Sequence, residues 1–453
     1  MQVATLRSCT SPMGYTDPRG LPVCLIDKSA DALALYAACV QAGLVFLPLN
    51  PAYTPAEVAY FVTNSGAKLL IADPAKSASL ASVAAEASAR LETLDTSGNG
   101  SLSSRAASKS STFETVSRDG DDLAAFLYTS GTTGRSKGAM LTQTNLLSNA
   151  QTLATLWQFT DQDVLLHALP IFHTHGLFVA TNVILLTGGA MMPGLDVDQL
   201  IQFMPRATTM MGVPTFYTRL AGPPRFHQRP DRWNAFTFEA RTGHRILERY
   251  GMTETNMNTS NPYDGARRAG TVGVPLPDVE LKVTNPETGD TLPQGEVGVI
   301  EVRGPNVFKG YWQMPEKTAE ELRSDGFFIT GDLGMIDDQG YVQITGQRPD
   351  HYRAVTTSIP KRSRTILDDQ PGVLESAVIG LPHGDLGEAP VAVLARAKNS
   401  EPDIDAILAT LSTQLARFKC PRKIFVVDAL PRNTMGKVQK NVMRDTYADA
   451  FAP

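Results

Sequence analysis

The stretch YTSGTTGRSKG, residues 128–138, decides how the rest of the chain is read. It follows LAAFL (123–127), an apolar run of strand length, and precedes LTQTNLLSNAQTLATL (141–156), whose apolar spacing predicts a helix capped by Thr142. The expectation is a strand, a Gly-rich loop and a helix. Such a loop exposes backbone N–H groups, and with Ser, Thr and Lys beside them it suits a polyphosphate. It is not a Walker A loop: Gly131, Gly134 and Lys137 read G-x-x-G-x-x-K, where that loop needs G-x-x-x-x-G-K-[ST].

Upstream, strand-like and helical stretches alternate. PVCLID and VFLPLN flank the helical SADALALYAACVQAG, which ends at Gly43. TPAEVAYFVTNSG opens with Thr54 as N-cap, Pro55 at the first helical position and Glu57 completing a capping box, and KLLIAD follows as a strand. Alternation of this kind predicts a layered α/β domain with a largely parallel sheet. The Ser-rich segment 95–122 lacks a period and reads as a solvated loop.

Downstream, DVLLHALP and ATTMMGVP read as strands, with GLFVATNVILLTGG and PTFYTRLAG as helices; the Pro-rich residues 222–238 fit neither period. From 279 the pattern alternates in the β manner, through VELKVTNPETGD, EVGVIEVRG, GFFITGDLGMIDDQG and YVQITG. The last hundred or so residues carry their own strands and helix, enough for a small α+β domain. The domain expectation is therefore 1–346 for a large α/β and β-rich N-terminal domain and 347–453 for a small, mobile C-terminal α+β domain.

Composition narrows the function classes. The chain of 453 residues has 42% hydrophobic and 19% charged residues and a formal net charge of −5, without a basic block, so nucleic-acid binding is not expected. Cys9, Cys24, Cys39 and Cys420 form no C-x-x-C pair, which argues against a disulfide framework and for a reducing compartment. The most apolar run, LFVATNVILL (177–186), is too short for a bilayer. The N-terminus lacks the apolar core of a secretory signal, and the expected location is cytoplasmic, its Ser, Thr and Arg content leaving an organelle such as the mitochondrion as an alternative. No protein partner is predicted.

Two further stretches complete a nucleotide site. YGMTE (250–254) offers an aromatic face, a hydroxyl and a carboxylate, and a carboxylate near a triphosphate is a natural Mg²⁺ ligand. Asp332 in TGD (330–332) follows a predicted strand, where it can accept from ribose hydroxyls. His167, His173 and His175 lack the pattern of a catalytic zinc site.

In this order, YTSGTTGRSKG, YGMTE, ITGDLG and PRNTMGKVQK resemble the acyl-adenylate-forming (AMP-dependent synthetase/ligase) superfamily. LPIFHTHGLFVATNV, MMGVPTFYTRL, RTGHRILERYGMTETNMNTSNPYDG and GPNVFKGYWQMPEKT are similar to its malonate–CoA ligase branch. The resemblance covers about 21–346 and 371 to the end. It implies a ligase that joins malonate to CoA through an acyl-adenylate, using ATP, Mg²⁺ and CoA as co-substrate. It further implies that Thr129, Ser130, Gly131, Thr132, Thr133, Gly134 and Lys137 hold phosphates, and that Thr129 and Glu254 hold Mg²⁺. Tyr250, Gly251, Met252, Thr253, Asp332 and Arg348 would contact the nucleotide, and Lys437 would be catalytic. Arg219 and His173 would bind the acid, Arg219 taking the second carboxylate of malonate with its fork of donors.

The sequence departs from the family in four places. Residues 1–20 do not resemble its opening stretch, and no GSAPL-like segment lies between Leu220 and Arg241. The hinge arginine is replaced by Gln347, with Arg348 adjacent and Pro349 following, and HYRAVTTSIPKRSRTILDD stands where a Gly-Gly loop is expected. Two alternatives therefore stand beside malonate: another short carboxylic acid, or a nucleotide-binding relative with impaired catalysis.

Overall fold

A computed structural model describes residues 21–110, 112, 114–129, 136–193, 197–213, 217, 245–347, 361–383, 387–398, 400–432 and 438–451. The chain divides into two compact units. The first comprises residues 1–51, 59–129 and 138–348; the second comprises 52–58, 130–137 and 349–453.

The first unit is built from successive layers. Strands β1 (Pro22–Leu25), β2 (Leu47–Pro48), β3 (Leu69–Ala72) and β4 (Arg90–Thr93) form a parallel sheet in the order β2-β1-β3-β4. Strands β1 and β3 are buried along their whole length, the signature of a sheet covered on both faces. The connecting helix Ala30–Gln41 starts at Ser29, whose side chain accepts from Ala32 N, and Gly43 follows it with φ +66°. Helix Pro55–Ser65 has the expected capping box: Thr54 N donates to Glu57 at 3.0 Å, and Glu57 N donates back to Thr54 Oγ1 at 3.4 Å.

Strands β5 (Leu123–Thr129) and β6 (Lys137–Thr142) form a two-stranded sheet on either side of the Gly-rich loop. The Gly-rich stretch is therefore followed by a strand and then by the helix, not directly by the helix as expected. The helix Gln143–Leu156 begins only after β6, with Thr142 and Asn145 capping each other. Lys137–Thr142 alternates too briefly, and runs too directly into the helix, for its own period to be visible.

A second correction concerns residues 95–122. Residues Ser101–Ala106 form a short helix that buries Leu102 and Ala106. The buried carboxylate of Glu92 on β4 anchors it, accepting from Ser101 Oγ and from Arg105 Nε at 3.1 Å. Two apolar side chains and one ion pair suffice here, so no period appears in the sequence.

Next come β7 (Val164–His167), β8 (Ala190–Pro193) and β9 (Thr209–Met211), parallel in the order β8-β7-β9. A π-helical stretch, His175–Thr181, runs into the helix Asn182–Thr187. Strands β10 (Arg249–Met252), β11 (Asn256–Ser260) and β12 (Val274–Pro275) make an antiparallel sheet. The β-rich part is an antiparallel meander of β13 (Glu280–Thr284), β14 (Gly298–Arg303), β15 (Phe328–Ile336) and β16 (Val342–Gln347). The predicted helix at PTFYTRLAG and the segment 222–238 lie outside the described residues, Tyr217 excepted.

The second unit holds β17 (Val373–His383), β18 (Gly387–Arg396) and β19 (Lys423–Val427) in that order, β17 and β18 antiparallel and β18 and β19 parallel. Helices Lys361–Asp368, Ile404–Gln414 and Lys440–Thr446 pack with them. Leu394, Ile407 and Leu411 belong to one of its apolar clusters, and Ile379, Val393 and Met443 to another.

The corrected helix gives a stability test. Leu102→Ala empties a fully buried site and is expected to lower the unfolding free energy by about 2–4 kcal/mol, read from denaturant melts; a solvated loop would show a change below about 0.5 kcal/mol.

Candidate active site

The YGMTE stretch forms β10 and the turn into β11. Its strand period sends neighbouring side chains to opposite faces, and this separates two sets of contacts. On one face Tyr250, 9% exposed, donates through its hydroxyl to Asp332 Oδ2 at 2.6 Å. Asp332 sits on β15, its backbone registered opposite Gln347 of β16. The aromatic ring and the carboxylate proposed for a nucleoside are thus brought together by a direct hydrogen bond. Gly251 is required where it stands: a Cβ there would lie 1.9 Å from the carbonyl oxygen of Asn256, because the chain doubles back into β11.

Glu254 lies at the turn with no accessible surface. Its Oε1 accepts from Tyr311 Oη at 3.0 Å, and its backbone carbonyl accepts from Phe308 N at 2.8 Å. Met252 is buried and Thr253 half-buried. Thr129 ends β5, and its Oγ1 is buried without a hydrogen-bond partner. Lys137 opens β6 and is 5% exposed, so its stem is packed into the protein. Ser130, Gly131, Thr132, Thr133, Gly134, Arg219, Arg348 and Lys437 lie outside the described residues.

Arg249 points away from Tyr250, and sequence reasoning missed it. Its Nη2 donates to His175 Nε2, its Nη1 donates to Leu247 O at 3.4 Å, and its guanidinium lies 5.2 Å from the centre of the Trp157 ring. Its Nε is buried without a partner, and no carboxylate among the described residues pairs with it. Burial lowers its pKa, while the nearby Tyr217 phenol works in the opposite sense. The only signal available in the sequence was its position one residue before Tyr250, on the other face of a strand.

The histidines divide by burial. His173 is exposed, whereas His175 is turned inward onto Arg249. An arginine can only donate, so His175 Nε2 accepts and its proton resides on Nδ1. Burial, then the charge of Arg249, holds its pKa well below the usual value. His167 is buried at the end of β7, its Nε2 2.9 Å from Gly176 O and 3.1 Å from Thr181 Oγ1, and burial lowers its pKa to about 4. Lys28 donates to the carbonyls of His167 and Leu169 at 2.6 and 3.1 Å, and burial brings its pKa to about 8.

Residues 23–312 match the AMP-binding enzyme family, and residues 365–437 match the AMP-binding enzyme C-terminal domain. The chain is a member of the AMP-binding enzyme family. This family member is 32% identical to the malonate–CoA ligase of Arabidopsis thaliana, over 95% of its own length and 79% of the relative's. It is 51% identical to ATP-bound MatB from Rhodopseudomonas palustris, with a TM-score of 0.74 over 99% of this chain and 92% of that one. A malonyl-CoA ligase solved as a ternary product complex with methylmalonyl-CoA and AMP is 32% identical, with a TM-score of 0.77 over 95% and 93% of the two chains. The family's mixed α/β fold, with a large N-terminal and a smaller C-terminal domain, is the fold seen here. Among the described residues no helix is long and apolar enough to cross a membrane.

The two inward histidines make stability depend on pH. The folded pKa of His167, about 4, lies below its unfolded value of about 6.5, so below the latter the unfolded chain binds more protons. The histidine contribution to stability is complete above about pH 6.5 and is lost as the pH falls towards 4, at up to about 1.4 kcal/mol per unit for each such histidine. His167→Gln is expected to flatten that slope in denaturant melts at pH 7, 5.5 and 4.5; an unchanged slope contradicts the assignment.

Proposed function

We propose that this family member is an AMP-forming acid–thiol ligase that converts malonate, ATP and CoA to malonyl-CoA, AMP and pyrophosphate. The observation that carries the choice of acid is Arg249. A half-buried guanidinium with no carboxylate partner among the described residues is costly, and a dianionic substrate supplies what it lacks. Its neighbours come from the same segments that resemble the malonate branch: His175 from FHTHG and Tyr217 from TFYTRL. Arg249 then binds the carboxylate that does not react, alongside Arg219 and His173.

The reacting carboxylate oxygen attacks the α-phosphorus of ATP. The new C–O–P linkage forms as the bond to the pyrophosphate leaving group breaks. The thiol sulfur of CoA next attacks the acyl carbon and loses its proton, and AMP leaves with the oxygen that malonate brought. The first step crowds negative charge around phosphorus, so positioned cations and N–H donors lower its barrier. In this reading residues 129–137 hold the outer phosphates, and Lys437, from the C-terminal domain (347–453), neutralises the α-phosphate. Tyr250, Gly251, Met252 and Thr253 border the adenine and α-phosphate. Asp332 takes the ribose hydroxyls, and Arg348, beside Gln347, takes the place of the hinge arginine.

Thr129 and Glu254 fit a divalent cation: a buried hydroxyl oxygen without a partner and a fully buried carboxylate are the hard oxygen donors that Mg²⁺ prefers. Bound there, Mg²⁺ would screen the charge of the phosphates. Nothing in this reading requires a nucleic acid or a protein partner, and a cytoplasmic location remains the proposal.

The experiment is malonyl-CoA formation by the purified protein, with omission of ATP, Mg²⁺ or CoA in turn, for wild type and Arg249→Leu. The wild type is expected to need all three. Arg249→Leu is expected to lose about 100-fold in kcat/KM for malonate and to gain relative activity on acetate or propionate. Equal losses on both acids would remove the basis for malonate.

A further inference from the structure

Tyr311 joins two buried carboxylates. Its hydroxyl lies 3.0 Å from Glu254 Oε1 and 2.6 Å from Glu321 Oε2. Glu321 ends the helix Pro315–Glu321, and its Oε1 is 3.0 Å from Lys317 Nζ, one turn back. The phenol ring is itself fixed, edge-on to Phe308 with ring centres 4.8 Å apart and within the main apolar cluster. A phenol has one proton to give, so Glu254 and Glu321 share it, and the hold of either carboxylate on the hydroxyl sets what the other receives.

The backbone around Tyr311 is held just as firmly. Phe308 N donates to Glu254 O at 2.8 Å, Met140 N to Gly310 O at 3.0 Å, Lys309 N to Met140 O at 2.9 Å, and Trp312 N to Gly138 O at 2.8 Å. Residues 308–312 are thereby paired with the strand that follows the Gly-rich loop and, through Phe308, with Glu254.

We propose that Tyr311 is a positioning residue that sets the orientation of the Glu254 carboxylate and so tunes the affinity of the site for the divalent cation of metal-bound ATP. Glu321, steadied by Lys317, holds the phenol in place. This rests on the reading of Glu254 as the carboxylate that serves that cation. A tyrosine that only filled the core would influence binding equally with and without metal. A positioning tyrosine changes only the part of the affinity that the metal contributes.

The test is calorimetric binding of a non-hydrolysable ATP analogue, in Mg²⁺ and in EDTA, to wild type, Tyr311→Phe, Glu321→Gln and Glu254→Gln. Tyr311→Phe keeps the ring and its packing. It is expected to bind as wild type in EDTA and to forfeit about tenfold of the gain that Mg²⁺ brings. Glu321→Gln leaves the phenol but weakens its anchor, and a smaller loss of the same kind is expected; it serves alone should Tyr311→Phe fail to fold. A full Mg²⁺ gain in both variants, with the gain lost in Glu254→Gln, overturns the role of Tyr311 and leaves that of Glu254 standing. Equal losses in Mg²⁺ and EDTA also overturn it. A full gain in Glu254→Gln removes the reading of Glu254, and the inference falls with it.

Discussion

The five residues 308–312 are hydrogen-bonded along both edges, to 138–140 on one side and to Glu254 on the other. That double pairing links the strand after the Gly-rich stretch to the turn carrying Glu254. The side chains repeat the constraint. Trp312 lies edge-on to Phe126 with ring centres 5.6 Å apart, and a Cβ on Gly138 would meet Phe126 at 2.2 Å. Close approach of backbone to aromatic ring thus excludes any side chain at Gly138. Preorganisation of this kind matters for phosphoryl chemistry, where rate comes from groups already aimed at developing charge.

Strand β10 divides the work of the site through its two faces. Tyr250 donates to Asp332; Arg249 faces His175 and Trp157 and has no counter-charge among the described residues. The first face holds this hydrogen bond and leaves the carboxylate with further acceptor sites. The second carries a charge that only an anion can balance. Family membership alone leaves the acid open, because members share the nucleotide chemistry, and the unbalanced guanidinium is what favours a dicarboxylate. His175 helps by accepting from Arg249 in its neutral form, which adds no competing positive charge.

Much of this was legible in residues 21–72 and 279–347, where short apolar runs alternate and caps such as Thr54 with Glu57 mark the boundaries. The residues proposed to face the nucleotide sit in compact stretches, YGMTE and TGD, whose chemistry is local. The remainder depends on contacts distant in sequence. The helix Ser101–Ala106 is held by Glu92, β6 is defined by pairing with β5 and with residues 309–312, and Arg249 owes its isolation to residues more than seventy positions away. Nothing in FHTHG says which ring turns inward; His175 meets Arg249, distant in sequence.

The central claim is that a malonate carboxylate attacks the α-phosphorus of ATP and that CoA then cleaves the acyl C–O bond. The most direct measurement supplies malonate labelled with ¹⁸O in both carboxylates, together with ATP, Mg²⁺ and CoA, and weighs the AMP by mass spectrometry. The account predicts one ¹⁸O atom in each AMP formed. AMP free of label, or nucleotide released as ADP, would contradict it.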